Sequence, residues 1–122
     1  MKIFVSHSRR FDFEGELYKP LRESVLFMKH QFLFPHQTGD SVNTKQLIQN
    51  ECDLVLAEVS YPSTGQGIEL GWADDANKKI ICIYKKGTEF SKSLKEVTDN
   101  FKEYTDTEEL INILTESFGL GS

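Results

Sequence analysis

Asp53-Leu54-Val55-Leu56-Ala57-Glu58-Val59-Ser60-Tyr61-Pro62-Ser63-Thr64-Gly65-Gln66-Gly67-Ile68-Glu69-Leu70-Gly71-Trp72-Ala73 is the most informative stretch of this chain. Its first part is an apolar run of the kind found in a strand buried on both faces. A polar Pro/Ser/Gly turn follows. The pattern then becomes helical from Ile68 to Asn77, with Leu70 and Ala73 facing inward and Glu69 in the first turn. In open α/β sheets, ligands bind at the carboxyl ends of the strands. Here that edge carries hydroxyls, two glycines and a carboxylate, a suitable set for holding a sugar and breaking a bond to it.

The same alternation extends along the rest of the chain. Lys2–Ser6 is a short apolar strand at the start. Helical spacing of Leu17, Leu21, Val25 and Met28 predicts a helix that begins or kinks at Pro20. Gln31–Phe34 is a second strand, stopped by Pro35. Residues 36–42 read as a polar loop, and Asn43 or Thr44 caps a short helix carrying Leu47 and Ile48. After the third strand and its helix come a fourth strand at Lys79–Tyr84, a helical turn over Ser91–Val97 and an edge strand at Phe101–Tyr104. Asp106 or Thr107 caps a last helix bearing Leu110, Ile111, Leu114 and Phe118. Strands alternating with helices predict a flavodoxin-like, doubly wound α/β fold. The expected sheet is five-stranded and parallel, in the order 2-1-3-4-5, with helices on both faces. The switch point then brings the loops 6–12 and 60–67 face to face across one crevice.

Composition sets the outer bounds. The chain has 122 residues, a formal net charge of −5 and 39% hydrophobic residues. That predicts one domain over residues 1–118, with 119–122 as a flexible tail. The acidic balance argues against a nucleic-acid partner, which needs a basic surface. No apolar run is long enough for a membrane span, and Met1-Lys2 leads straight into a strand rather than a targeting segment. A cytoplasmic location is therefore expected. Cys52 and Cys82 lack metal-ligand spacing, and His7, His30 and His36 form no metal motif. There is no dinucleotide fingerprint, P-loop or nucleophile elbow. No metal or cofactor is expected.

Candidate site residues follow from this frame. Glu69 has a bland reading as a helix-dipole acid, but its surroundings favour a catalytic one. Gly65 and Gly67 permit close approach of a ligand to the backbone. Ser63, Thr64 and the free N–H groups of the turn can hold hydroxyl or anionic oxygens. Ser6, His7, Ser8, Arg9 and Arg10 form a hydroxyl-rich dibasic loop after the first strand, suited to phosphate and sugar. His36, after the second strand, is within reach of the same crevice. Glu58 either points into the crevice, pairs with Arg9 or Arg10, or is structural. Asp53 is a boundary residue.

The quoted segment, with its Ala-Glu-Val and Pro-Ser-Thr-Gly-Gln-Gly-Ile-Glu-Leu-Gly core, resembles the central motif of the nucleoside 2-deoxyribosyltransferase-like superfamily. It is nearest the 2′-deoxynucleoside 5′-monophosphate N-hydrolase branch. The likeness continues through Asn77-Lys78-Lys79-Ile80-Ile81-Cys82. This resemblance implies N-glycosidic cleavage or deoxyribosyl transfer on a nucleotide or nucleoside, with Glu69 acting at the anomeric carbon. It implies that Ser63 holds the 5′-phosphate and that Ser93, supplied by a partner subunit, is a second phosphate-binding serine. A homodimer with shared active sites follows. The 6–9 loop falls on the segment that wraps sugar and phosphate, and His36 falls near a family histidine.

Two positions and one loop depart from the family pattern. Ile3 stands where the hydrolases carry a tyrosine. Ser6–Phe11 replaces a Gly-Ser-Ile-Arg-Gly-Gly loop. Lys45 stands where an aspartate assists the leaving base, a role worth about 10²–10⁴-fold in rate. Two other readings share the architecture. One is a TIR-like NAD hydrolase, suggested by the serine-rich loop after the first strand. The other is a non-catalytic nucleotide-binding module, suggested by the missing tyrosine and aspartate.

Overall fold

A computed structural model describes residues 1–35 and 43–119 of the chain. Strands β1 (Lys2–His7), β2 (Gln31–Leu33), β3 (Leu54–Glu58), β4 (Lys79–Lys85) and β5 (Phe101–Tyr104) form one sheet in the order β2-β1-β3-β4-β5. Every neighbouring pair is parallel. This is the predicted sheet. Its central strands are legible because both faces are covered: each residue of β3 is buried.

Alternation along the strands divides the core in two. Ile3, Val5, Leu54, Leu56, Ile81 and Ile83 point to one face, where Leu17, Tyr18, Leu21, Leu110 and Leu114 cover them. Phe4, Val55, Ala57 and Cys82 point to the other, beneath Ile48, Leu70 and Ala73. Each fully buried aliphatic side chain contributes roughly 1.5–3 kcal/mol of transfer free energy.

The segment expected to hold one helix around Pro20 is broken instead. A π-helical turn at Glu14–Tyr18 runs into α1 (Lys19–Arg22), with Pro20 in its first turn, and α2 (Leu26–Lys29) follows separately. Pro20 lacks an N–H, and the change from π to α hydrogen bonding falls beside it, whereas the break itself lies at residues 23–25, after Arg22. Asn43 caps α3 (Thr44–Gln46), its Oδ1 accepting from the Gln46 N–H at 3.0 Å. A π-helical turn at Leu47–Glu51 then leads to β3. A 3₁₀ segment at Lys92–Glu96 precedes β5, and α5 runs over Thr107–Gly119, so Gly119 belongs to a helix and not to a tail.

The helix α4 spans Thr64–Asp75. It starts four residues before the predicted Ile68, and Ser63 caps it. At its other end Asn77 adopts a positive φ of 58°. The Asn77 N–H bonds to the Asp74 carbonyl and the Lys78 N–H to the Ala73 carbonyl. That is the Schellman pattern of bonds, and it delivers the chain directly into β4.

Candidate active site

β1 and β3 lie side by side, with Ser6 opposite Ala57 and His7 opposite Glu58. Because side chains alternate, adjacent residues at this edge serve opposite faces. Ser6 shares a face with Phe4 and turns towards α4. Its hydroxyl donates to Glu69 Oε1 at 2.7 Å. Glu69 stands in the second turn of α4 rather than the first. The field of the helix terminus fades within the first turn, so the dipole reading of this glutamate loses its basis.

Glu69 borders a cavity of about 450 Å³ that also touches Ser8, Arg9, Arg10, Ser63 and Gln66. Burial pushes its carboxyl above the usual range, while the Ser6 hydrogen bond and the Arg9 charge oppose the rise. The result is a carboxylate that is partly desolvated, oriented by one hydroxyl and open to a space of ligand size.

Most of the predicted residues gather here. Ser6 reaches the cavity through Glu69; His7, Ser8, Arg9, Ser63 and Gly65 line it. The His7 ring has other commitments. Nδ1 lies 2.8 Å from the Ser8 carbonyl and Nε2 2.6 Å from the Tyr18 hydroxyl. A carbonyl only accepts, so Nδ1 carries the proton and, in the neutral ring, Nε2 accepts from Tyr18. The ring also stacks on Phe13 at 4.3 Å. Gly67 and Ser93 border a second cavity of about 410 Å³, which shares Arg10, Ser63, Thr64 and Gln66 with the first. Ser63 and Ser93 of one chain therefore border the same cavity. A Cβ on Gly67 would meet nothing within 4 Å, and one on Gly65 only Ser63 Oγ at 3.9 Å. Packing requires neither glycine, and both leave room beside the cavities. His36 lies outside the described residues.

Glu58 is a correction in part. It neither points into the crevice nor pairs with an arginine. Its side chain turns to the opposite face and is 1% exposed. Oε1 accepts from the Ser60 N–H at 2.6 Å, and Oε2 accepts from the Ser60 hydroxyl at 3.0 Å and from the Tyr104 hydroxyl. Burial raises its pKa despite these donors. Of the departing positions, Ile3 is wholly buried in the core, and exposed Lys45 borders neither cavity. Burial pushes the Cys82 thiol up to about 12, which leaves it chemically inert. Among the described residues no cluster could hold a metal ion, and no helix is long and apolar enough to cross a membrane.

Gln66 was not singled out from the sequence. It is buried, and its Nε2 donates to the Glu58 carbonyl at 2.9 Å, fixing the first turn of α4 to the end of β3. The signal was available. Ser63-Thr64-Gly65-Gln66 fits the Ser-x-x-Gln capping pattern, which places a helix start at Thr64.

No family model matches the chain. Among curated proteins, it is 34% identical over 64 residues to a 5-hydroxymethyl-dUMP N-hydrolase of Branchiostoma floridae, covering 50% of this chain and 61% of that protein. It is 49% identical over 35 residues to the 5-hydroxymethyl-dUMP N-hydrolase of Tetraodon nigroviridis, covering 29% and 25%. The matches thus span between a quarter and about three fifths of these relatives' length. Among solved structures, a CMP N-glycosidase of Clostridium botulinum superposes with a TM-score of 0.65 at 24% identity, covering 94% of this chain and 99% of that one. That superposition bears on the fold. Local sequence and overall architecture point the same way, and the chain is similar to the nucleoside 2-deoxyribosyltransferase-like superfamily on its N-hydrolase side.

Proposed function

We propose that this chain cleaves the N-glycosidic bond of a nucleotide, a deoxyribonucleoside 5′-monophosphate, with Glu69 as the nucleophile. One observation carries the reading: the Glu69 carboxyl, oriented by Ser6 at 2.7 Å, borders a cavity of about 450 Å³ that two arginines and several hydroxyls also line. In the first step a Glu69 oxygen bonds to C1′ as the C1′–N bond breaks, and the electron pair leaves with the base. Charge spreads over C1′ and the ring oxygen, and the nearby carboxylate stabilises it. Water then splits the glycosyl ester and frees Glu69. Arg9, Arg10 and Ser63 would hold the phosphate.

Glu69 is the only carboxylate among the described residues that line the two cavities. Were no other acid to reach the departing base, its proton would come from water, and turnover would be slower by about 10²–10⁴-fold than with a placed acid. That same lack supports a second reading, a nucleotide-binding module without turnover. Release of free base from a panel of nucleotides and nucleosides, measured with the wild type and Glu69→Ala, tests both. Equal release by the two proteins removes the nucleophile. Binding without release over hours favours the module. The homodimer implied by the resemblance belongs to this proposal, and light scattering of the purified protein tests it.

A further inference from the structure

Arg9 and Arg10 line the cavity beside Glu69, but neither belongs to a strand or a helix. They stand on the loop that leaves β1, and a cation on a loop serves a phosphate well only if the loop keeps its place. Aromatic side chains hold this loop. It departs from His7 and comes back to it, because the Phe13 ring stacks on the His7 ring at 4.3 Å. Beside Arg10, Phe11 reaches across to the turn after β3 and stacks on Tyr61 at 5.3 Å, with 26° between the ring planes. The two arginines thus lie on the arc between His7 and Phe11.

The Phe11–Tyr61 pair has a third member. Lys85, the last residue of β4, places its ammonium 5.2 Å from the Phe11 ring centroid and 5.3 Å from that of Tyr61. Its Nζ donates to the Tyr61 hydroxyl at 3.2 Å and to Glu16 Oε1 at 2.8 Å, and Glu16 lies just beyond the loop in the π-helical turn. The Lys85 main chain is fixed as well, since its N–H donates to Ser60 Oγ at 2.8 Å. One cation rooted in the sheet therefore joins the loop after β1 to the turn after β3. Phe11, Tyr61 and Lys85 border neither cavity, so what they do for a ligand they do through the segments they hold.

We propose that Lys85, by clasping Phe11 to Tyr61, is a positioning residue that sets Arg9 and Arg10 over the phosphate of the substrate. This rests on the reading of the two arginines as the phosphate site. With the clasp shut, the loop is in place before the ligand arrives. With it open, apparent affinity falls with the fraction of molecules whose loop is in place. The effect is confined to ligands that carry a phosphate, because Glu69 stands on α4 and not on the loop.

The test is calorimetric titration of the whole chain with the four deoxyribonucleoside 5′-monophosphates and the four matching nucleosides. The quantity read is the affinity of each monophosphate relative to its nucleoside. Lys85→Met should cut that ratio about three- to tenfold and leave nucleoside affinity unchanged. In base release, KM for the monophosphate should rise by the same factor at constant kcat. Lys85→Arg, which keeps a cation for both rings and for Glu16, should restore most of the ratio. Phe11→Ala is the second probe, because it opens the clasp without removing a charge and should lower the ratio as Lys85→Met does. A loss in Lys85→Met without one in Phe11→Ala means only a lost charge and overturns the clasp. A ratio unchanged in both variants overturns it too, as does an equal loss for monophosphate and nucleoside. In those three cases the phosphate site itself stands. If the wild type prefers no monophosphate over its nucleoside, the phosphate site and the clasp fall together.

Discussion

Glu58 and Glu69 leave one strand–turn–helix segment, and burial holds both above the ordinary carboxylate range. Their surroundings differ. Glu58 accepts three hydrogen bonds, from the Ser60 N–H, the Ser60 hydroxyl and Tyr104, and has no cavity beside it among those described. Glu69 accepts one, from Ser6, and borders open space. A buried acid with every oxygen engaged stabilises a fold; one with spare capacity facing a cavity can act on a ligand. A raised pKa alone does not separate these roles, whereas the count of donors and the direction of the side chain do.

The largest expected effect falls on Glu69. Glu69→Ala should lower base release by at least about 10³-fold and change unfolding stability by no more than roughly 1 kcal/mol, as measured by urea titration. The reverse profile should hold for Glu58. Glu58→Ala leaves the Tyr104 hydroxyl and the Ser60 N–H without their acceptor and opens a void, at a cost of about 2–4 kcal/mol. Any activity loss should follow the fraction folded. Glu58→Gln should cost less and carry a pH signature. A folded pKa above the unfolded value gives stability that is full at low pH and lost as pH rises through the folded value. Wild type should therefore lose stability relative to Glu58→Gln as pH rises from 4.5 to neutrality.

A smaller effect separates the two by their donors. Ser6→Ala removes the hydrogen bond that favours ionised Glu69, so the acid limb of the rate–pH profile should move to higher pH. Tyr104→Phe, which removes a hydroxyl bonded to Glu58 and not to Glu69, should leave that limb in place. Smallest are the glycines of α4. Gly71→Ala, with nothing within 4 Å of its Cβ and no place in either cavity, should stabilise by about 0.4–1 kcal/mol at full activity. Gly67→Ala should stabilise similarly and weaken ligand binding, read as a rise in KM. Equal behaviour of the two variants would mean that Gly67 leaves room for no ligand.

The sheet was legible because parallel strands covered on both faces are continuous apolar runs, and Ile80-Ile81-Cys82-Ile83 admits no other reading in an α/β chain. The gathering of Ser6, Ser63 and Glu69 was legible through the switch-point rule. The face served by Glu58 was not. Alternation says that it opposes Ala57 and Val59, but its partner Tyr104 arrives on β5, a pairing without a local sequence signal. The start of α4 was misplaced because Gly65 and Gly67 read as turn residues, and the cap formed by Ser63 prevails over their poor helix propensity.

α4 is tied to the sheet at its start, where Gln66 Nε2 donates to the Glu58 carbonyl, and its far end, closed by the bonds around Asn77, runs straight into β4. Sliding of its first turn would break the Gln66 bond, and β4 follows its last turn too closely for that end to travel. The helix thus acts as a beam, and the opposite bank, where Arg9 and Arg10 are exposed beyond the tip of β1, is the looser side of the cavity among the described residues. Frequent opening of that bank should accordingly appear as fast amide exchange across residues 8–12, beside a slow-exchanging beam.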